Sequence, residues 1–325
     1  MSAKRTRRDF FKGTLAAAAG AGTALSLEER ALLARMNDRA GAAAAGPVKG
    51  KVRPNAKGTL PRGKLGNLEI SRVFLGGNLI GGWAHARDLL YVSKLLKAYH
   101  TDEKVLDTMQ LGEEHGFNCI NTHPNATPLI QQYRKERKGK MVWLAQGFIG
   151  ESGRLDGLKQ LVDDGADAIY IQGGTGDRLV KADRMDLLAK AVEYIQDQGL
   201  PAGIGGHRLD VPMAVETARI PVDYHVKTIH PHGYWSARPD GKRHDNLWCE
   251  QPEETITFMA ASEKPWIAFK VMAAGAVHPK QAFRYAFEAG ADFIMAGMFD
   301  FQIAEDARLA RRALENPNRR RPWRA

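Results

Sequence analysis

The chain has 325 residues, of which 44% are hydrophobic, and a formal net charge of +10. This length and apolar content are typical of a globular enzyme with a sizeable core. The charge is concentrated at the ends, because residues 1–27 carry +4 and residues 311–325 carry +5, which leaves +1 for the rest. A nearly neutral body lacks the positive field that grips a phosphate backbone, so we exclude nucleic acid as a partner.

The first 27 residues have the pattern of a bacterial export signal. Arg7 and Arg8 precede Phe10 and Lys12 in TRRDFFKG, and the small-residue run GTLAAAAGAGTALSL follows. This pattern is typical of twin-arginine signal peptides, so we expect the twin-arginine translocation machinery as a partner and a periplasmic or extracellular location. The run is too short and too alanine-rich to span a bilayer, so we expect no stable membrane insertion after export. The alternative interpretation is a basic tail beside an alanine-rich linker.

The remaining chain divides into a linker, one domain and a tail. Residues 28–58 are rich in alanine and glycine and are predicted to be a linker, with a short helix at LEERALLARM. We expect the folded domain over residues 59–315 and a solvated basic tail over residues 316–325. Cys119 and Cys249 are the two cysteines, and their spacing does not decide whether they pair.

Short apolar runs alternate with amphipathic helical patterns throughout residues 59–315, and several of the helical patterns end at a glycine. Eight βα pairs are the count of a (β/α)8 TIM barrel, the fold class that we predict. An open doubly wound sheet is the rival, but no GxGxxG motif follows the first strand. The predicted strands are 71–77, 117–122, 141–147, 167–173, 201–206, 223–229, 266–272 and 292–298.

In a TIM barrel the active site lies at the carboxyl ends of the strands. Nearly every predicted strand ends in a polar side chain, and Asn121 and Gln172 are the residues that we predict to orient a substrate. The full set of polar strand ends is Asn78, Asn121, His123, Gln146, Gln172, His207, Lys227, His230, His232, Lys270 and Asp300.

Five of the ten histidines lie within the 38 residues from His207 to His244. Imidazoles converging from adjacent strand ends are suitable ligands for zinc or another divalent metal ion. The alternative interpretation is that these histidines pack in the core and bind loop backbone. The predicted metal ligands are His207, His230, Cys249 and Glu250, and His232 is predicted to belong to the catalytic set.

Lys227 and Lys270 occupy adjacent predicted strands, the sixth and the seventh. If both point into the barrel, burial and mutual repulsion lower one pKa and allow a Schiff base with a carbonyl substrate. We assign Lys227 as the nucleophile and Lys270 as its cationic neighbour. The alternative is that strand alternation points one of them outward to the helices.

Residues 60–82, LPRGKLGNLEISRVFLGGNLIGG, together with GFNCINTHPN, resemble the hairpin and first two strands of the aldo/keto reductases. That family carries a catalytic Asp, Tyr, Lys and His. The matching positions here hold Asn121, Gln146 and Gln172, with no tyrosine before Tyr133. The resemblance therefore implies the barrel without the hydride-transfer tetrad.

The second half of the chain, VDYHVKTIH and IAFKVMAAGAVHPKQAFRYAFEAGADFIMAGM, is similar to the Schiff-base aldolases of the deoxyribose-phosphate aldolase type. Lys227 and Lys270 match the imine-forming lysine of that group and its neighbour. The acidic partner that the group carries on its third strand is absent here, and the loop between the two lysines is long.

These patterns predict an exported single-domain barrel enzyme that acts on a small polar carbonyl or sugar-like molecule. Its chemistry would be metal-assisted, lysine-based or both, as in a lyase or a hydrolase. Two alternatives stay open: an NAD(P)-dependent reductase related to the aldo/keto reductases, and a non-catalytic exported binding protein.

Overall fold

A computed structural model describes residues 50–83, 85, 89, 91–234, 236–237, 246–315 and 317–325. The expected signal peptide and most of the expected linker lie outside the described residues, as does His244. None of the described helices is long and apolar enough to cross a membrane.

The described strands form a two-stranded hairpin and a closed barrel of eight parallel strands, which confirms the predicted TIM barrel. Pairing of the last strand with the first barrel strand closes the ring. The hairpin strands are β1 (Arg62–Leu65) and β2 (Leu68–Ser71), and the barrel strands are β3 (Val73–Gly76), β4 (Cys119–Thr122), β5 (Val142–Gly147), β6 (Ala168–Ile171), β7 (Ala202–Gly206), β8 (Tyr224–Thr228), β9 (Trp266–Phe269) and β10 (Phe293–Ala296).

Helices follow the barrel strands, as the alternating sequence pattern predicts. The described helices are α1 (Tyr91–Tyr99), α2 (Asp102–Glu114), α3 (Thr127–Gln132), α4 (Asp156–Asp163), α5 (Gly173–Lys181), α6 (Met185–Asp197), α7 (Asp210–Thr217), α8 (Pro252–Ala261), α9 (Pro279–Ala289) and α10 (Ile303–Leu314).

Side chains alternate between the barrel interior and the helix layer. One buried cluster holds the interior residues, such as Phe74, Tyr170 and Tyr224, while a second holds the residues that face the helices, such as Trp143. The hairpin adds Leu65 to the interior cluster, and a bond from the amide of Ser71 to the Asn118 side chain anchors it beside the start of β4. Apolar side chains therefore fill the barrel at the amino-terminal ends of its strands, which we call the base. The opposite end, at the carboxyl ends of the strands, is the mouth, and we expect the functional site there.

The basic tail is not solvated, in contrast to the expectation from its composition. Arg321 is buried and forms an ion pair with Asp292, a carboxylate that is 0% exposed. The Arg72 guanidinium lies 3.7 Å and the Arg319 guanidinium 3.4 Å from the Trp323 ring centre. A buried carboxylate requires charged partners, and the tail arginines supply them.

The folded part also begins earlier than residue 59. Val52 is buried, and its amide donates to the Arg137 carbonyl at 2.9 Å. The amide of Asn55 donates to the Glu113 carbonyl at 3.0 Å. These contacts show that residues 52–55 pack against the barrel domain.

Cys119 and Cys249 are both buried free thiols. Cys119 lies in the barrel interior cluster, whereas Cys249 lies in the cluster that faces the helices. The two cysteines therefore do not pair.

We expect Arg321→Met to lower the free energy of unfolding by about 3 kcal/mol, because it leaves the buried Asp292 carboxylate without its closest cation. Urea unfolding followed by circular dichroism measures this change. Arg320→Met is the matched control: Arg320 forms an ion pair with Glu253 in which both side chains are more than half exposed, so its loss costs less than about 1 kcal/mol. Equal losses in the two variants would contradict the assigned role of Arg321.

Candidate active site

A histidine–aspartate pair lies at the mouth. His207 follows directly after β7, and its Nδ1 lies 2.6 Å from Oδ2 of Asp177 in α5. The other carboxylate oxygen of Asp177 accepts the backbone amides of His207 at 2.9 Å and Arg208 at 3.1 Å. A Cβ at Gly173 would lie 3.0 Å from Cε1 of the His207 ring, so the glycine makes room for the imidazole. Asp177 therefore fixes both the ring orientation and the tautomer of His207.

Burial lowers the pKa of His207, against the opposing hydrogen bond and charge of Asp177. The positive charges of Lys270 and Lys227 lower it further. With Nδ1–H donating to Asp177, Nε2 carries the lone pair, and no described residue forms a hydrogen bond with this atom. A neutral imidazole held in this way is suited to act as a general base.

Lys270 lies just after β9 in a left-handed backbone conformation, with φ of 55°. This conformation costs a non-glycine residue roughly 1–2 kcal/mol, and such strain is concentrated at functional sites. The Lys270 ammonium lies 2.7 Å from Nε2 of His85 and 3.7 Å from the centre of the Trp248 ring. The strained backbone thus directs a cation over an indole face.

The His207–Asp177 pair, which we call the dyad, and Lys270 meet at the side chain of Trp248. The His207 ring centre lies 5.1 Å from that of Trp248 and 5.2 Å from that of Phe269. Trp248 also contacts His85, with 4.8 Å between ring centres. A base and a cation therefore line one partly apolar site at the mouth.

Amides form the floor of the mouth. Asn121 is buried, donates from Nδ2 to the Leu144 carbonyl at 2.9 Å and accepts from Nε2 of Gln146 at 2.9 Å. Tyr170 also forms a side-chain hydrogen bond with Asn121, and burial raises the pKa of Tyr170. The structure thus brings together Asn121 and Gln146, two of the positions that align with the reductase tetrad. It places neutral amides there instead of an acid and an amine.

Lys227 has the outward direction that strand alternation left open. Its neighbour Val226 belongs to the interior cluster, so Lys227 leaves β8 on the opposite face. Its ammonium donates to the carbonyl oxygens of His207 at 2.8 Å and Thr228 at 3.0 Å, and to the Thr228 hydroxyl at 2.8 Å. Burial lowers the pKa of Lys227, but the side chain is only 1% exposed. The amine is not presented to a carbonyl substrate.

His230 is fully buried and already has partners for its ring. Its Nε2 accepts the backbone amides of Trp248 and Cys249, each at 3.0 Å, and its Nδ1 lies 3.3 Å from the Pro231 carbonyl. The lone pair that a metal would need is therefore occupied. His230 instead positions the segment that carries Trp248 into the mouth.

The structure brings His232 and Cys249 together beside His230, with 5.7 Å between the ring centres of His230 and His232. His232 bonds the Cys249 carbonyl at 2.6 Å, Cys249 has its thiol 3.7 Å from the Thr255 hydroxyl, and Glu250 is exposed. The Gln172 side chain caps α5 by accepting the amide of Thr175 at 3.1 Å. Among the described residues, no group of three or more His, Cys, Asp or Glu side chains could hold a metal ion. The zinc site with ligands His207, His230, Cys249 and Glu250 stays a prediction.

The sequence patterns did not indicate Asp177 or His85. QGGTGD, which contains Asp177, has the plain pattern of a strand-to-helix turn. Asp177 is 30 residues from His207 in sequence, so no local spacing indicates the pair.

No family model and no curated protein sequence matches this chain. Among solved structures it is similar to a candidate aldo-keto reductase from Pseudomonas aeruginosa, with a TM-score of 0.53 and 16% identity over 79% of this chain and 97% of that one. A second structure of a candidate aldo-keto reductase from that organism has a TM-score of 0.51 and 17% identity, over 78% of this chain and 95% of that one. A phospho-2-dehydro-3-deoxyheptonate aldolase from Thermotoga maritima has a TM-score of 0.48 and 13% identity, over 82% of this chain and 77% of that one. At 16% and 17% identity the likeness to the first two structures shows the barrel fold alone.

We expect Asp177→Asn to lower the pKa of His207, because the carboxylate raises that pKa through its hydrogen bond and charge. An NMR titration of the imidazole ring protons measures the shift. Glu250→Gln removes an exposed carboxylate outside the dyad and should leave the His207 titration unchanged. An unchanged or raised His207 pKa in Asp177→Asn would show that the pair does not operate as described.

His230 predicts a loss of stability in mild acid. Burial lowers its pKa from the ordinary value to about 4 in the folded protein. In the unfolded chain the same histidine has a pKa near 6.5. The stability that comes from the neutral, buried imidazole is therefore fully present above pH 6.5, and about 3 kcal/mol of the free energy of unfolding is lost as the pH falls toward 4. Urea unfolding from pH 7 to 4 should show a shallower fall for His230→Gln than for the wild type. His278→Gln, at an exposed histidine, should keep the wild-type slope, and identical slopes in all three proteins would contradict the assignment.

Proposed function

We propose that this protein is a barrel enzyme that catalyses proton transfer at the carbon beside a carbonyl group in a small, polar, hydroxylated substrate. His207 is the general base, Asp177 its positioning partner and Lys270 the electrophile. The observation that carries the proposal is the 2.6 Å contact between His207 and Asp177, beside the ammonium that lies 3.7 Å from the ring of Trp248.

The proposed step balances with these groups alone. Nε2 of His207 takes a proton from the carbon next to the carbonyl. The electron pair of the C–H bond becomes the π bond between the two carbons, and the π pair of the carbonyl moves onto its oxygen. The Lys270 ammonium stabilises the resulting enolate oxygen, as a pre-oriented cation in a partly buried site does effectively. Return of the proton to the same carbon gives exchange. If that carbon carries a hydroxyl group, transfer of the hydroxyl proton to the enolate oxygen and return of the His207 proton to the former carbonyl carbon give isomerisation. If the enolate instead expels a group from the next carbon, which leaves with its bonding electron pair, the reaction is that of a lyase.

Several features favour this chemistry over the routes that sequence patterns suggested. Imine formation at Lys227 is disfavoured by its burial and its three oxygen acceptors. Hydride transfer in the manner of the aldo/keto reductases is disfavoured by the amides at the tetrad positions, since Asn121 and Gln146 are neutral where that family has an acid and an amine.

The test is hydrogen exchange into substrate carbon, which requires no knowledge of the final product. Glycolaldehyde, glyceraldehyde, dihydroxyacetone and the common ketohexoses are incubated with the protein in deuterium oxide, and carbon-bound deuterium is followed by NMR. We expect wild-type protein to exchange at least one of them. His207→Gln should slow that exchange by about 10²–10⁴-fold, and Lys270→Met by about 10²–10³-fold.

Lys280→Met is the matched control, because Lys280 is exposed near the start of α9 and is not one of the residues assigned to the site. It should exchange at the wild-type rate. The same samples with added NADPH test for reductase activity, which would favour the alternative. Absence of exchange across the panel, or a wild-type rate in Lys270→Met, would contradict the proposal.

A further inference from the structure

A second concave site adjoins the mouth on the outer side of the barrel. It is a groove of about 520 Å³ between α3 and α4. Its walls are the 3-10 turn after β4, the residue that follows β5, and the facing sides of the two helices. The residues that line it are Pro124, Asn125, Thr127, Pro128, Gln131, Phe148, Gly157, Gln160, Leu161 and Asp164.

Phe148 connects the groove to the mouth. Its side chain lines the groove and is 37% exposed, an unusual position for a large apolar ring. The same ring lies 4.9 Å from His123, which in turn lies 4.6 Å from Trp83, measured between ring centres. His123 and Phe148 follow β4 and β5, so this row of rings runs from the carboxyl ends of the strands into the groove.

The polar groups of the groove match a hydroxyl-rich ligand. Asn125, Gln131 and Gln160 offer amide donors and acceptors, and sugar hydroxyl groups both donate and accept. Asp164 is the charged residue among the described groove residues; it accepts a bond from Nε2 of Gln160 at 3.0 Å. No described residue of the lining is cationic, so nothing there holds a phosphate or carboxylate. An exposed aromatic face beside amides binds the C–H face of a sugar ring by stacking.

The geometry points to a binding subsite for one neutral saccharide unit in this groove, beyond the dyad and adjoining the mouth. We propose that Phe148 is the stacking platform and that the amides of Gln131 and Gln160 bind hydroxyl groups. The groove stands apart from His207 and Lys270, so saccharide binding does not depend on the acid–base chemistry proposed above. A chain of two or three units could extend from the groove toward the mouth along His123 and Trp83.

The test is direct binding of cellotriose, xylotriose and maltotriose, each compared with its monosaccharide, by saturation-transfer NMR and calorimetry. We expect at least one trisaccharide to bind more tightly than its monosaccharide. Phe148→Ala should weaken that binding about tenfold, which corresponds to about 1.4 kcal/mol. Phe301→Ala is the matched control, because Phe301 is also an exposed phenylalanine, at 48%, and does not line the groove.

A second variant fills the groove without removing any contact. Gly157 lies inside α4, and a Cβ there would meet the Phe148 carbonyl oxygen at 3.7 Å, an ordinary contact. Gly157→Phe should therefore fold, since glycine is the weaker helix former, and should abolish trisaccharide binding. His207→Gln should bind the trisaccharide as the wild type does, which separates failure of the subsite from failure of the catalytic proposal. Absence of binding by all three trisaccharides, or wild-type binding in both groove variants, would overturn the inference.

Discussion

Closure of the parallel barrel is the constraint on which the other features depend. Once β10 pairs with β3, each strand residue faces either the interior or the helices. A shift of one residue reverses that choice for every side chain in a strand. Val226 takes the inward position on β8, and Lys227 is directed outward as a consequence. A lysine at position 226 would face the barrel interior, whereas Lys227, one residue later, faces the helices and binds backbone carbonyls.

The two ends of the barrel have different tasks. At the base the hairpin supplies apolar side chains, and the tail arginines surround Asp292, so the interior is filled and the buried charge is matched. At the mouth the side chains are polar and include a base and a cation, and Lys270 has a strained, left-handed backbone conformation. Stability held at one end allows a strained, polar arrangement at the other.

Structural and chemical roles are interleaved in the histidine-rich segment. His230 uses its lone pair to hold two backbone amides, and by doing so it places Trp248 between His207 and Lys270. His207 keeps its Nε2 lone pair because Asp177 engages the other nitrogen. Both histidines are neutral, but they have different roles, because a different ring nitrogen already has a partner in each. His230 is structural, and His207 is available as a base.

The sequence by itself determined the barrel, since eight apolar runs alternating with helical patterns admit few other architectures. It also located the mouth and several of its polar residues, such as Asn121, His207 and Lys270, because they follow the predicted strands. It did not reveal the partner of His207, since Asp177 reaches the ring only after α5 packs beside β7. Nor did it show that the tail folds, because a run of arginines looks solvated until a buried carboxylate such as Asp292 is placed beside it. Periodicity is a local property that can be recognised in the sequence. The partner of each charge and each lone pair, in contrast, is decided by contacts between segments that are distant in sequence.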